Sequence, residues 1–248
     1  ARPARVRLRF AGLPRDDKLL CELALEPKEE VKDLRILLRC FPSYFTAWNK
    51  RDGDRKIFTP SNTLNQGQNV TLPAAHHWFA VYYDTIFDVA KGEGDGPCAL
   101  LFAPEAVQTV RFHVGSYGVD TELACRPDTR TVRMAFWDFH GVPNVAALDA
   151  FRQSAAKGRE ELKAFDFTPA AVRTFDPKAE LEQLARLTAS PQVRQKLGPR
   201  ADEYRKRVEA LTAAGPQLAI LPQEELLTLL AAYRDFLWEL KLAALLAE

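Results

Sequence analysis

The chain has 248 residues and a mass of 27.9 kDa, with 47% hydrophobic and 27% charged residues, values typical of a folded globular protein. This composition excludes a disordered chain, a collagen-like repeat and a coiled-coil rod. The net charge of +1, from 34 basic and 33 acidic side chains, gives no electrostatic excess for binding nucleic acid or anionic lipid. We therefore expect no nucleic-acid partner. We also expect no transmembrane segment, because no uninterrupted apolar run reaches the roughly 18 residues of a membrane-spanning helix.

The first ten residues, ARPARVRLRF, contain four arginines and no acid. A local nucleic-acid patch is one interpretation of this cluster. The balanced charge of the whole chain favours the other, which is that these are solvated side chains on an edge strand.

Residues 1–143 alternate between short apolar segments and turn signals rich in Gly, Pro, Asn and Asp. Short strands at this spacing, without helical patterns between them, predict an N-terminal antiparallel β-sandwich, jelly-roll-like, over residues 1–143. The predicted strands cover residues 6–10, 19–26, 34–40, 44–48, 78–87, 99–102, 108–117, 119–125 and 131–139.

The segment AAHHWFAVYYD, residues 74–84, raises the question of a metal site. If it is a strand, His76 and His77 point to opposite faces, and Asp84 lies about 26 Å from His76 at about 3.3 Å per residue. These residues cannot share one coordination sphere. We therefore predict a core strand with aromatic residues on both faces, and neither a metal nor a cofactor.

Residues 144–248 have helical periodicity and predict a helical C-terminal portion that packs on the sandwich or extends from it. Asp176 before Pro177, and Ser190 before Pro191, are typical helix starts, and Gly198 predicts the end of the second of these helices. The predicted helices cover residues 145–163, 176–187, 191–198, 199–215 and 222–248.

The last helix is unusually apolar. One stripe, from Leu226 to Leu240, has the spacing of a core-facing surface. Further apolar residues widen it, so we expect either packing within the protein or an interface with a partner or a second copy. The candidate interface residues are Phe236, Trp238, Leu242 and Leu245.

The segment NKRDGDRKIF places Asp52 and Asp54 on either side of a glycine. The downstream acid of a calcium loop is absent, so a hairpin turn is the simpler interpretation. Trp48 precedes this charged turn and is the best candidate for an exposed aromatic residue that stacks on a sugar. Trp48, Asp52 and Asp54 are therefore the candidate ligand-binding residues.

The four cysteines are widely spaced and lack a C-x-x-C pair, which argues against a zinc site. Two disulfides, as in an exported protein, and four reduced core residues fit equally well. The chain begins at Ala1, which fits either a removed secretion signal or trimming, and its Ala- and Arg-rich composition suggests a bacterial source.

No catalytic motif is assembled in the sequence. VGSYGVD, for example, lacks the glycine spacing of a nucleophile elbow. The leading hypothesis is a non-catalytic exported or cell-envelope protein that binds another protein or a polysaccharide. The alternatives are a hydrolase whose acids or histidines meet only in the fold, such as one acting on carbohydrate, and an intracellular assembly subunit that dimerises through its C-terminal helices.

Overall fold

The computed structural model describes residues 4–12, 17–28, 31, 33–42, 51–214 and 223–247. The chain divides into two compact units, Ala1–Phe167 and Thr168–Glu248. The first is built from two antiparallel sheets and a helix, and the second from helices alone. The prediction of a mainly β protein with a β-sandwich followed by helices is thus confirmed.

Eleven strands are present in the described part of the first unit, and all neighbouring strands are antiparallel. They are β1 (Ala4–Gly12), β2 (Lys18–Pro27), β3 (Arg35–Cys40), β4 (Arg55–Phe58), β5 (Thr63–Asn65), β6 (Asn69–Pro73), β7 (Phe79–Asp84), β8 (Cys98–Phe102), β9 (Val107–Val114), β10 (Val119–Cys125) and β11 (Thr131–Asp138).

The strands form one sheet of seven and one of four. The seven-stranded sheet has the order β1-β2-β11-β8-β7-β4-β5, and the four-stranded sheet has the order β3-β10-β9-β6. In the described residues, β1 and β5 are therefore the edges of the large sheet, and β3 and β6 are those of the small one.

The inner faces of the two sheets share one apolar core. Strand β9 shows the alternation that causes this, since Val110, Phe112 and Val114 are buried and the residues between them are not. They pack in one cluster with residues of the opposite sheet such as Ile57 and Met134.

Helix α1 (Asn144–Ala164) covers the outer face of the seven-stranded sheet. Its buried residues recur at helical spacing, and Phe151 packs edge-on against Phe79 at 5.1 Å and Trp137 at 5.0 Å between ring centroids. The sequence placed the start of the helical portion at residue 144, whereas the structure assigns α1 to the first unit, because this helix buries the second apolar face of the sheet.

The second unit contains α2 (Ala170–Arg173), α3 (Pro177–Leu187), α4 (Pro191–Ala214) and α5 (Gln223–Leu245). Asp176 caps α3 as predicted, because its carboxylate accepts hydrogen bonds from the backbone N–H groups of Lys178 at 3.0 Å and Ala179 at 3.3 Å. The predicted core stripe of the last helix is buried among α3 and α4.

The predicted helix end at Gly198 is wrong, since α4 continues through Pro199 to Ala214. Proline removes one helical hydrogen bond and crowds the preceding turn. Apolar packing on both sides offsets this cost, because Val193 and Ala201 are both buried in the core of the unit.

Strands β4, β5 and β6 were missed because their surroundings, NKRDGDRKIF and PSNTLNQGQN, are dominated by turn residues. The predicted strand at residues 44–48 lies outside the described residues. Strand β7 is shorter than predicted, and His76 lies in the turn before it.

Among the described helices, none combines the length and apolar composition that crossing a membrane requires.

Candidate interaction site

Strand β1 is a long sheet edge with one paired side. It runs for nine residues, and every one of them is in register with β2, from Ala4 opposite Pro27 to Gly12 opposite Leu19. Within the part of the chain that the structure describes, β1 pairs with no other strand. Its outer side is thus an edge of the sheet among the described strands, and the backbone N–H and C=O groups on that side point away from β2.

One face of β1 is apolar and exposed. Val6, Leu8 and Phe10 retain 55%, 53% and 59% of their accessible surface. They lie on the same face as Leu23 and Cys21 of β2, which are buried in the sandwich core. The apolar face of the large sheet thus continues past its core onto an uncovered strand.

The opposite face of β1 is basic. Arg5, Arg7 and Arg9 alternate with the apolar residues, and the cross-strand neighbours of Arg5 and Arg9 are Glu26 and Glu22. Arg7 forms an ion pair with Glu26, and Arg9 donates to Glu22 with 3.2 Å between Nη1 and Oε1. Strand β2 therefore places acids opposite two of the three arginines, Ala24 opposite Arg7, and apolar residues opposite the apolar face of β1.

The other three edges in the described residues are less suited to strand addition. Strands β5 and β6 have only three and five residues, and short edges pair poorly. Strand β3 has six residues, and its Arg39 is held by Asp120 through two hydrogen bonds of 2.6 and 3.0 Å. Edge β1 is the longest of the four, and it has three large exposed apolar residues where β3 has one, Leu37.

Two of the three candidate ligand-binding residues lie in the described part of the chain, and a ligand site at these residues stays a prediction. Trp48 lies outside the described part. Asp52 is exposed, whereas Asp54 accepts a hydrogen bond of 2.6 Å from Thr85 and an ion pair of 3.2 Å from Lys56. The hydrogen bond from Thr85 is the main cause that lowers the pKa of Asp54. This carboxylate therefore holds the β4–β7 pair together.

The candidate interface residues of α5 separate into two groups. Phe236 is buried and stacks on Tyr204 at 4.8 Å between ring centroids. In contrast, Trp238, Leu242 and Leu245 retain 70%, 59% and 68% of their accessible surface. An interface on α5 stays a prediction, and it rests on these three residues.

Two polar side chains of the segment AAHHWFAVYYD are buried and hydrogen-bonded. His77 is buried and hydrogen-bonds through Nδ1 to Thr59 Oγ1 at 3.0 Å, and burial lowers its pKa. Tyr82 is also buried, and its hydroxyl contacts Thr121 Oγ1 at 2.8 Å across the two sheets. Within the described ranges, no three His, Cys, Asp or Glu side chains come close enough to hold a metal ion.

A cavity of about 280 Å³ lies between α1 and the adjoining ends of β2 and β11. Its polar rim is internally paired, since Glu161 contacts Lys18 at 2.9 Å and Lys157 at 3.5 Å. Trp137 on its floor packs against Gly158, where an added Cβ would approach the indole to 3.2 Å. These contacts give the cavity a role in helix packing.

Comparison with known proteins finds no protein-family model and no curated protein that matches this chain.

Proposed function

We propose that this protein is a non-catalytic interaction module that binds an extended segment of another protein by strand addition at β1. The observation that carries this proposal is the nine-residue edge with its exposed apolar face. Long, exposed apolar edges are normally covered or blunted, because they template pairing with another chain. Here the edge is neither short nor interrupted by proline or an inward charge.

The charge pattern of β1 specifies the chemistry of its partner. Two copies of β1 could pair antiparallel with their apolar residues on the same face. Residues directly opposite each other share a face, so arginine would then lie opposite arginine, for example Arg7 opposite Arg7 or Arg9. Like charges directly opposite each other destabilise a strand pair. The favoured occupant therefore alternates acidic and apolar residues, as β2 does with Glu22, Leu23, Ala24, Leu25 and Glu26.

Two aromatic residues of the β-rich part are unsuited to stack on a polysaccharide, which favours a protein partner. Sugar-binding platforms need exposed rings. Trp137 and Tyr82 are buried in the two cores of the first unit. An exported or cell-envelope location belongs to the same proposal, and fractionation of the source cells tests it.

The experiment is fluorescence anisotropy with the full chain and a fluorescein-labelled peptide of the β2 sequence, residues 18–27, carrying Cys21→Ser. We expect saturable binding to the wild type. Leu8→Lys should weaken it at least about tenfold, because it places a charge on the apolar face of the edge. The matched control is Leu37→Lys, since Leu37 is 62% exposed on edge β3.

A second peptide tests the charge pattern. Glu22→Lys and Glu26→Lys together turn two attractive cross-strand pairs into repulsive ones, and should weaken binding by about tenfold. Equal binding of both peptides, or equal binding by the wild type and Leu8→Lys, would overturn the proposal.

A further inference from the structure

The sulfur atoms of Cys40 and Cys98 lie together between the two sheets. Their Sγ atoms are 2.9 Å apart, although 58 positions separate the residues in the sequence. This distance is well inside the contact distance of two non-bonded sulfurs and about 0.9 Å longer than a disulfide bond. A small side-chain adjustment is enough to join them.

The two residues lie at strand ends. Cys40 is the last residue of β3 and Cys98 is the first residue of β8, and both are half-buried. Cys40 belongs to the edge strand of the small sheet, and Cys98 to a central strand of the large one. A bond between them would join the two layers of the sandwich.

The other two cysteines are more buried than Cys40 and Cys98. Cys21 and Cys125 are buried within the sandwich core. Burial raises the pKa of each of these thiols to about 11, and the pKa of Cys98 is also raised well above its ordinary value, chiefly by its hydrogen bond with Cys40 and then by burial, so burial and not pKa separates the two groups. They are the reference cysteines for mapping which thiols become linked.

We propose that Cys40 and Cys98 form a disulfide that fastens β3 to β8, while Cys21 and Cys125 remain thiols. The oxidant is a low-molecular-weight disulfide such as oxidised glutathione. One protein thiolate attacks a sulfur of the oxidant, which releases one thiolate and leaves a mixed disulfide. The second protein thiolate attacks the protein-side sulfur of that mixed disulfide and expels the other thiolate.

The exchange is balanced. Two protein thiols are oxidised to one disulfide, one small disulfide is reduced to two thiols, and the two protons pass to the released thiolates. The inference is independent of strand addition at β1, because neither cysteine belongs to β1 or β2.

The test uses the full chain, freshly reduced and then equilibrated with oxidised glutathione. Free thiols are alkylated under denaturing conditions, and peptides are mapped by mass spectrometry without reduction. We expect a Cys40–Cys98 linked peptide that has lost two hydrogen atoms, with Cys21 and Cys125 alkylated. Four alkylated thiols, a stable glutathione adduct at either residue, or a bond to Cys21 or Cys125 would overturn the proposal.

Variants and unfolding temperature supply the second readout. Cys40→Ser and Cys98→Ser should each abolish the linked peptide, and Cys21→Ser should retain it. Oxidised wild type should unfold at a higher temperature than reduced wild type, because the bond closes a long loop in the unfolded chain. Cys40→Ser should show no such shift, and a shift of equal size in that variant would contradict the assignment.

Discussion

Arg9 and Glu22 face each other across the β1–β2 ladder, with 3.2 Å between Arg9 Nη1 and Glu22 Oε1. From the other side, Arg133 of β11 donates to Glu22 Oε2 at 3.1 Å. The carboxylate of Glu22 is buried between these two guanidinium groups. Glu22 thus links the three strands β1, β2 and β11 at this end of the large sheet, because it lies between two arginines. An acidic strand added to β1 would continue this alternation of acids and bases.

The first prediction concerns this ion-pair row. Glu22→Gln should lower the free energy of unfolding by about 3 kcal/mol, because it leaves two partly buried arginines without their shared anion. Glu26→Gln is the control, and should cost about 1 kcal/mol or less, since the Glu26 side chain keeps 44% of its accessible surface, against 9% for Glu22. Urea unfolding followed by circular dichroism checks both. Equal losses of unfolding free energy in the two variants would show that the burial of Glu22 does not determine how much its ion pairs stabilise the fold.

The second prediction concerns the docking of α1. Phe151→Ala should lower the free energy of unfolding by about 3–5 kcal/mol, because it removes a fully buried ring from the layer between helix and sheet. Val145→Ala, at an exposed position of the same helix, should change it by less than about 0.5 kcal/mol. Urea unfolding monitored by tryptophan fluorescence measures the difference. A small loss for Phe151→Ala would mean that α1 does not stabilise the sheet.

The third prediction concerns pH. The hydrogen bonds from Arg39 are the main cause that lowers the pKa of Asp120 in the folded protein. A carboxyl group whose pKa is lower in the folded protein than in the unfolded chain, where it is about 3.9, stabilises the fold at pH values above 3.9. This stabilisation is lost as the pH falls through the pKa of the folded protein. Asp120→Asn should therefore be less stable than wild type at pH 7, and the difference should shrink as the pH falls below about 4. Urea midpoints over that range test this, and a difference that does not change with pH would contradict it.

The fourth prediction separates the edge of β1 from the last helix. Leu242→Lys, on the exposed surface of α5, should leave both the unfolding free energy and the peptide affinity unchanged within about 0.5 kcal/mol. Leu240→Ala, at a fully buried position of the same helix, should cost about 2–5 kcal/mol of stability. Sedimentation velocity provides the second measurement. Dissociation of an oligomer by Leu242→Lys would assign the interface to α5.

Much of the architecture could be predicted from the sequence, because it depends on local periodicity. The alternation in β9 and β11 and the cap at Asp176 are strong signals, since they depend on the chain's own geometry. Strands β4 and β5 are different. They are stabilised by strand pairing, of β4 with β5 and of β4 with β7, which local sequence does not show. In their sequences only Ile57 and Leu64, both buried, differ from what a turn would have.

The site could be predicted only in part. Among the described strands β1 is an edge, as its arginines indicated, but Arg7 and Arg9 are paired with acids and mostly buried, where solvated side chains were expected. The exposure of Leu8 depends on how far the second sheet covers the first, which local sequence does not encode. The same limit applies to Cys40 and Cys98, because their proximity follows from the packing of two sheets. Two disulfides and four reduced thiols therefore fitted the sequence equally well.

Hydrogen–deuterium exchange of the full chain, with and without the β2-sequence peptide, tests the central claim most directly. Strand addition occupies the outward backbone N–H groups of residues 4–12, so the account predicts that the peptide slows their exchange and leaves that of β3 and α5 unchanged. Slower exchange confined to α5, or unchanged exchange in β1 at saturating peptide, would contradict the assignment of β1 as the binding edge.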